Sequence, residues 1–216
     1  MIKIIGDIML DEWIEGSISK NSPEAPVKIF DQLKTSFNLG GAGNVAANLK
    51  KLNSKIKLFS AVGKDLNGKR IIKLLRENKI NHSLSQNLKI TTTKTRLIIN
   101  KKNKHFLRID NEKKEENVFD FKNLSKNKKK KNIFLLIDYN KGIINKKLCN
   151  FLNNKNNYVF VDPKNKPELY KNCFLVKPNM KRLNVWLGKF SKKKCFKLLK
   201  KMKWILKSVS FWARWK

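Results

Sequence analysis

Residues 133–162 read IFLLIDYNKGIINKKLCNFLNNKNNYVFVD, and this stretch decides the class of fold. Its first five residues form an apolar run that ends at Asp138, and a second apolar run, residues 158–161, ends at Asp162. Residues 144–152, between the two runs, are predicted to form a crossover helix. A strand, a helix and a second strand in this order make a βαβ unit, so the stretch predicts a parallel sheet.

The same alternation of short apolar strands and helices continues on both sides of this stretch. A third apolar run, residues 174–176, precedes a predicted helix over residues 180–187. Upstream, residues 3–10 and 56–62 read as strands, and residues 67–77 read as an amphipathic helix. We therefore predict an α/β fold with a mainly parallel sheet. Ligands of such open sheets bind beyond the carboxyl ends of the strands.

Two further regions predict small antiparallel elements beside the sheet. Short segments at residues 13–18 and 25–30 are joined by a Ser-Pro turn, which favours a flap. Residues 91–99 and 105–109 flank a polar turn and predict a second hairpin. Together they predict antiparallel β elements over about residues 12–31 and 91–110.

A glycine-rich stretch, Gly40-Gly41-Ala42-Gly43-Asn44, leads into a predicted helix over residues 45–52. One interpretation is a tight turn before the helix. The other is a ligand site, where backbone N–H groups approach a polar ligand and Asn44 offers a donor and an acceptor to a hydroxyl. The stretch alone leaves both interpretations open.

The chain has 216 residues with 50 Lys and Arg against 16 Asp and Glu, a formal charge of +34. Such a charge is typical of nucleic-acid-binding proteins. However, only six of the basic residues are arginine, the side chain that favours bidentate phosphate and guanine contacts. The scattered lysines indicate a compositional bias, so we expect no specific nucleic-acid partner. The lysine-rich residues 126–131 read as a solvated loop.

Membrane and metal-binding classes find no support in the sequence. No apolar run approaches the roughly 20 residues of a membrane span, and the first residues are too soon polar for a signal peptide. We expect a cytoplasmic protein without a membrane partner. Cys149, Cys173 and Cys195 form no C-x-x-C pair, which predicts three reduced, buried thiols and no zinc site.

Several motifs occur in one definite order: Gly-Asp-Ile-Met-Leu-Asp at residues 6–11, Ser-Pro-Glu-Ala-Pro-Val at 22–27, Gly-Gly-Ala-Gly-Asn-Val-Ala at 40–46 and Asp-Tyr-Asn-Lys-Gly at 138–142. This series resembles the ribokinase-like (PfkB) carbohydrate kinases, and within them the D-glycero-β-D-manno-heptose 7-phosphate kinases. The resemblance implies a three-layer α/β domain with a small β lid. It also implies ATP- and Mg²⁺-dependent phosphorylation of the anomeric hydroxyl of the sugar, giving the 1,7-bisphosphate on the route to the ADP-heptose of lipopolysaccharide.

By this resemblance, seven residues bind the sugar phosphate. Asp11 accepts hydrogen bonds from sugar hydroxyls, although a plain strand-end or helix-cap carboxylate is the alternative. Arg108 binds the 7-phosphate, with an ion pair to Asp110 as the alternative. Asp138 binds hydroxyls and Lys141 meets a phosphate as a point charge. The remaining three line the same pocket: Gly40, Gly41 and Asn44.

The resemblance places Lys164 and Asn179 on the ATP side. Two departures from the family stand against a complete catalytic site. The family continues from this asparagine as Asn-x-x-Glu, whose glutamate helps to organise Mg²⁺, whereas this chain has Arg182 there. The Gly-Ala-Gly-Asp motif that supplies the catalytic base is absent from these residues. No catalytic residue and no metal ligand is therefore assigned.

The carboxyl-terminal region differs from the rest of the chain. No acidic residue occurs after Glu168, and three of the five tryptophans lie within residues 204–216. We expect residues 1–203 to be the first two-thirds of a kinase domain, and residues 204–216 to be an atypical tail that reads as the product of a shifted frame. The resemblance also implies a homodimer through the lid. The alternatives are a non-catalytic remnant that binds sugar phosphate, and a basic nucleic-acid-binding protein.

Overall fold

The computed structural model describes residues 1–99, 104–115, 119–121, 124, 131–153 and 157–204. Within these residues the strands, in chain order, are β1 (Ile2–Gly6), β2 (Ile8–Asn21), β3 (Lys28–Gly41), β4 (Ile56–Gly63), β5 (His82–Leu88), β6 (Thr93–Ile99), β7 (Lys104–Asn111), β8 (Asn132–Ile137), β9 (Asn157–Asp162) and β10 (Leu175–Val176). The helices are α1 (Ala42–Lys51), α2 (Leu66–Glu77), α3 (Lys146–Leu152), α4 (Met180–Leu187) and α5 (Lys192–Met202).

The main sheet is parallel, as predicted. Its spatial order over the described residues is β10-β9-β8-β1-β4-β5, with β1 between β8 and β4. Successive residues of a strand face opposite sides of the sheet. Accordingly, Ile4 packs with Ala46 of α1 and Ile71 of α2, whereas Ile5 packs with Leu148 of α3 and Leu199 of α5. Helices therefore cover both faces, which confirms the three-layer α/β architecture.

Polar caps set the starts of the helices. The crossover helix begins at Lys146, two residues later than predicted, because Asn145 caps it by accepting the Leu148 N–H at 2.9 Å. Asp65 caps α2 through the Gly68 N–H at 2.7 Å, and Asn179 caps α4, which has the predicted bounds.

The first predicted strand, residues 3–10, is two strands in the structure. β1 ends at Gly6, where a side chain would collide with the carbonyl oxygen of Ile137 on β8. After Asp7 the chain leaves the main sheet, and Ile8 begins a strand that pairs with β3. The hydrogen bonds mark the point where the chain changes sheets. The backbone N–H of Asp7 still bonds to the carbonyl of Ile137 in the main sheet (3.1 Å), whereas the backbone N–H of Ile8 donates to the side-chain Oγ of Ser60 (3.2 Å).

The second sheet forms the lid, in the order β3-β2-β6-β7. β2 pairs antiparallel with β3 and parallel with β6, and β6 and β7 form the predicted second hairpin. The predicted flap of two short segments is in fact a hairpin of two 14-residue strands. The strands are longer because their inner ends also serve the core, where Ile8, Leu10 and Leu39 are buried.

Two elements escaped prediction. β5 is an edge strand of mostly polar sequence, HSLSQNL, and so lacks an apolar pattern. α5 is lysine-rich, yet it buries Cys195, Leu199 and Met202, which lie on one helical face. Trp204, the first residue of the predicted atypical tail, is buried and donates its indole N–H to the Tyr170 carbonyl at 2.8 Å. The rest of that tail and most of the predicted loop at residues 126–131 lie outside the described residues.

Two further expectations concern whole-chain properties. The three cysteines are free and buried, as predicted. None of the helices in the described part of the chain is long and apolar enough to cross a membrane.

Candidate functional site

Three aspartates follow the carboxyl ends of three strands that are neighbours in the main sheet. Asp7 follows β1, Asp138 follows β8, and Asp162 is the last residue of β9. A hydrogen bond links the ends of β8 and β9, because the backbone N–H of Asp138 donates to the carbonyl of Asp162 at 3.0 Å. The candidate site lies at this edge, where the sequence places it.

Asp7 organises the loop after β8. Its buried carboxylate accepts three backbone N–H groups, from Tyr139 (2.7 Å), Lys141 (3.2 Å) and Ile143 (3.3 Å). Burial, followed by the nearby charge of Asp138, raises the pKa of Asp7 to about 6, although the three N–H bonds oppose the shift. Asp7 thus holds the loop that carries the predicted site residues Asp138 and Lys141.

Asp138 is itself buried, and both of its carboxylate oxygens accept hydrogen bonds from its own chain. One carboxylate oxygen accepts the Asn140 N–H at 2.6 Å. The other accepts the Asn165 side-chain amide at 3.1 Å and the hydroxyl of Tyr170. Burial, together with the charge of Asp138, raises the pKa of the Tyr170 hydroxyl, so that hydroxyl remains a donor at neutral pH. Asp138 therefore lies at the predicted edge, in a rotamer that Tyr170 and Asn165 fix.

The lid brings Asp11 and Gly40 together. They lie on adjacent strands, and a Cβ on Gly40 would lie only 2.7 Å from Asp11 Oδ2, so glycine leaves the space that this carboxylate needs. Asp11 Oδ1 also accepts a hydrogen bond from Arg96 at 2.8 Å, and the Arg96 guanidinium lies 4.8 Å from the Trp13 ring centroid. The Asp11 side chain stays 22% exposed, so a ligand can still reach it.

Gly41 and Asn44 lie at the start of α1. Gly41 has a positive φ of 56°, and a side chain there would collide with the Asp7 carbonyl oxygen. That oxygen accepts the Ala42 N–H at 2.9 Å, which ties the start of the helix to the end of β1. The tight-turn interpretation is thus confirmed at Gly41, while α1 begins at Ala42, three residues earlier than predicted; the ligand interpretation stays a prediction. Asn44 is exposed on the first turn, and its amide oxygen lies 3.5 Å from Asn48 Nδ2.

Charged side chains gather where β6 and β7 of the lid meet the loop after β8. Arg108 pairs with Asp110 through Nε at 2.9 Å and through its terminal nitrogen at 3.0 Å, so the alternative interpretation of Arg108 is realised. Lys141 pairs with Glu112, which also pairs with Lys94 at 3.3 Å. These five residues are called the charge cluster below.

The acids of the charge cluster respond to their partners. The hydrogen bond from Lys141 and the charges of Lys94 and Lys141 lower the pKa of Glu112. Burial alone would raise the pKa of Asp110, but hydrogen bonds and charge from Lys94 and Arg108 lower it. Both acids therefore stay ionised at neutral pH.

The two predicted ATP-side residues follow different strands. Lys164, after β9, lies 5.6 Å over the Tyr139 ring, and its backbone N–H donates to the Tyr170 hydroxyl at 3.3 Å. Asn179, after β10, is exposed and caps α4 by accepting the Arg182 N–H at 2.8 Å. Each occupies the carboxyl-end side of the sheet.

The residues around Asn179 do not fit a Mg²⁺ ion. Its amide oxygen is committed to the helix cap, and Arg182, a cation, stands where the family has its glutamate. Among the described residues there is also no group of three or more His, Cys, Asp or Glu side chains that could hold a metal ion.

Several residues of the site escaped prediction, among them Asp7, Arg96, Glu112 and Tyr170. Asp7 carried a usable signal, since it follows a buried strand just as Asp138 does. The other three carried none, because their importance depends on partners far away in the sequence. Tyr170, for example, is 32 residues from Asp138.

Comparisons with known proteins agree with this geometry. The family model described as pfkB family carbohydrate kinase matches residues 2–209. The Bifunctional protein HldE of Nitratiruptor sp. is 35% identical over 198 residues, which cover 87% of this chain and 41% of that protein. The HldE of Sulfurimonas denitrificans is 37% identical over 193 residues, covering 83% of this chain and 40% of that protein. The chain thus spans about two-fifths of the length of these curated relatives.

Solved structures share the fold. A putative phosphofructokinase from Staphylococcus aureus superposes with a TM-score of 0.69 at 18% identity, covering 94% of this chain and 68% of that one. A ribokinase from Thermotoga maritima superposes with a TM-score of 0.66 at 17% identity, covering 92% and 68%. The fold is therefore ribokinase-like, and because the family model matches almost the whole sequence, the chain belongs to the pfkB family of carbohydrate kinases.

Proposed function

We propose that this chain forms the sugar-binding part of a kinase for D-glycero-β-D-manno-heptose 7-phosphate, which transfers a phosphoryl group from ATP to the anomeric hydroxyl. The product is the 1,7-bisphosphate, a precursor of the ADP-heptose of lipopolysaccharide. The observation that carries the proposal is the close approach of the Asp11 carboxylate on β2 to Gly40 on the neighbouring lid strand β3. The motifs that contain both residues, and the similarity to proteins named HldE, support the choice of sugar.

Each predicted binding residue has a role that its surroundings support. Asp11 accepts hydrogen bonds from sugar hydroxyls, and its ion pair with Arg96 holds the carboxylate in place. Asp138, on the core, accepts a hydrogen bond from a sugar hydroxyl in addition to the hydrogen bonds it accepts from Tyr170 and Asn165. Lys141 and Arg108 meet the 7-phosphate, since a phosphate binds well to an ammonium and to a forked guanidinium.

In the reaction, a bond would form between the anomeric oxygen and the γ-phosphorus of ATP while the bond from that phosphorus to the leaving ADP breaks; the proton of the hydroxyl would pass to water, since no base is assigned among these residues. ATP would supply the phosphoryl group, and Mg²⁺ would neutralise charge on the phosphates. Asn179 and Arg182 do not fit the metal, so no step is assigned to them. The residues of this chain position the sugar and its phosphate. The use of ATP supports a cytoplasmic location.

The direct test is calorimetric titration of the chain with heptose 7-phosphate, comparing wild type with Asp11→Asn. We expect wild type to bind and Asp11→Asn to bind at least about tenfold more weakly, because a charge-assisted hydrogen bond is lost. Asp31→Asn is the matched control, since Asp31 is an exposed carboxylate on the same hairpin that bonds to Ser19.

Three outcomes distinguish the candidate functions. No binding by wild type, or equal binding by Asp11→Asn, contradicts the proposal. Binding together with phosphoryl transfer from Mg²⁺-ATP would show that the chain carries out the whole reaction. Binding without transfer would identify a sugar-phosphate-binding remnant, which is the second candidate.

A homodimer through the lid is also proposed. Strand β7 is an edge of the lid sheet, and it exposes large apolar side chains. Phe106, Leu107 and Ile109 are 47%, 50% and 51% exposed. An exposed apolar edge strand favours pairing with a second chain. Sedimentation velocity is expected to give a dimer, and Leu107→Lys is expected to shift it to monomer; a monomeric wild type would contradict this.

A further inference from the structure

Glu112 joins the lid to the core. It follows β7 of the lid, and one carboxylate oxygen pairs with Lys141, which lies on the core loop after β8. The other oxygen lies 3.3 Å from the ammonium of Lys94 on β6 of the lid. A single carboxylate therefore bridges two ammonium groups that different parts of the fold supply.

The two lysines are held in place apart from this bridge. The backbone N–H of Lys141 donates to the buried carboxylate of Asp7 at 3.2 Å, which anchors the loop that carries it. Lys94 lies in the middle of the lid sheet, between β2 and β7, and also pairs with Asp110 at 3.2 Å. The fold thus fixes the backbone from which Lys141 extends, and Asp110 holds the ammonium of Lys94, whether or not Glu112 contacts either lysine.

The charge cluster carries three cations, Lys94, Arg108 and Lys141, against two anions. Its formal charge is therefore +1, and it would be +2 without Glu112. A phosphate monoester at neutral pH carries a charge of about −1.5 to −2 and offers three acceptor oxygens. A phosphate can therefore bind the same two ammonium groups that the Glu112 carboxylate contacts. The Glu112 side chain is 29% exposed, so it can move aside into solvent.

We propose that Glu112 determines phosphate affinity, because its carboxylate competes with the phosphate of the substrate for Lys141 and Lys94. The inference rests on the proposed function for the identity of the sugar. The phosphate displaces the carboxylate from the two ammonium groups, and Glu112 turns toward solvent. A sugar that lacks a phosphate leaves the bridge intact, so Glu112 lowers the affinity only for phosphorylated sugars and sets the charge that a ligand needs to displace it.

The test is Glu112→Gln, which keeps the shape of the side chain and removes its charge. Affinity for heptose 7-phosphate, measured by calorimetric titration, is expected to rise about 3- to 5-fold, the upper part of the range for one partly exposed ion pair. Affinity for the same heptose without its phosphate is expected to stay within about twofold, a contrast that a general loosening of the lid would not produce. Glu168→Gln is the matched control, because Glu168 forms an exposed pair with Lys201 at 3.7 Å away from the charge cluster.

The outcomes separate the inference from the proposed function. Tighter binding of the phosphorylated sugar alone supports the inference. Equal or weaker binding by Glu112→Gln overturns it, since Glu112 would then orient Lys141 for the ligand. If wild type does not bind the sugar phosphate, the proposed function fails. Inorganic phosphate then serves as the probe, and an unchanged phosphate affinity in Glu112→Gln overturns the inference as well.

Discussion

The core and the lid use aspartate in opposite ways. Asp7 and Asp138, at the carboxyl ends of β1 and β8, are 2% and 4% exposed and are held by N–H and O–H donors. In the lid, Asp11 and Asp110 remain 22% and 28% exposed, and both pair with cations. The difference teaches that the core acids position the backbone, whereas the lid acids form ion pairs that a ligand can rearrange.

The largest effect is expected from Asp7→Ala in the core. This change leaves the N–H groups of Tyr139, Lys141 and Ile143 without an acceptor. Each unpaired buried group costs roughly 1–3 kcal/mol, so the free energy of unfolding is expected to fall by at least about 3 kcal/mol. Urea denaturation followed by circular dichroism measures it. Asp7→Asn keeps an acceptor oxygen and should lose less; a loss below about 1 kcal/mol in Asp7→Ala would contradict the role of Asp7.

The pH dependence of stability should have opposite signs in the two regions. The pKa of Asp7 is about 6 in the folded chain against 3.8 as its ordinary value, so the folded chain holds this proton more tightly. Its contribution to stability is complete below pH 3.8 and falls by roughly 3 kcal/mol as the pH rises to 6. The pKa values of Asp110 and Glu112 are lowered, so their contribution is present above their ordinary pKa values and is lost as the pH falls.

Urea denaturation between pH 3.5 and 7 tests both parts of this contrast. The difference in unfolding free energy between wild type and Asp7→Asn is expected to shrink as the pH rises, because asparagine does not titrate. The same comparison for Glu112→Gln is expected to show the difference growing with pH. If the difference in unfolding free energy between wild type and variant changed with pH in the same direction for both variants, the contrast between core and lid would be wrong.

A smaller effect is expected from Tyr170→Phe. The change removes the hydroxyl that donates to Asp138 and that accepts the N–H of Asn165 at 2.9 Å. The expected loss of unfolding free energy is about 1–3 kcal/mol, with weaker binding of heptose 7-phosphate because Asp138 is less firmly held. Tyr158→Phe is the control, since its hydroxyl contacts the exposed Lys131 at 3.1 Å. Equal losses in both variants would mean that Tyr170 does not position Asp138.

The smallest effect is expected for the lid ion pair between Arg96 and Asp11. Partly exposed pairs contribute about 1 kcal/mol or less. A double-mutant cycle with Arg96→Gln and Asp11→Asn is therefore expected to give a coupling energy of this size in thermal unfolding. The exposed i,i+4 pair of Lys73 and Glu77 on α2 provides the reference, with an expected coupling below about 0.5 kcal/mol. A coupling of several kcal/mol would place Asp11 with the buried core acids.

Much of the main sheet could be predicted because its signals are local. The apolar runs before Asp138 and Asp162 predict buried strands, and Asn179 indicates the start of a helix. β5 could not be predicted, because a polar edge strand has no apolar pattern. The sequence of residues 3–10 predicts one strand, although Gly6 and Asp7 interrupt its apolar pattern, and only the pairing of Ile8 with β3 shows that the first strand ends at Gly6.

The sequence by itself determined most of the order of strands and helices, the polar residues at the strand ends and the motifs of the sugar-kinase family, because each of these depends on neighbouring residues. Only the tertiary structure decided the partners of the site residues: Arg96 for Asp11, Tyr170 for Asp138 and Glu112 for Lys141. These partners are distant in sequence, and only the packing of the lid on the core and of α5 on the sheet brings their charges and hydroxyls within bonding distance.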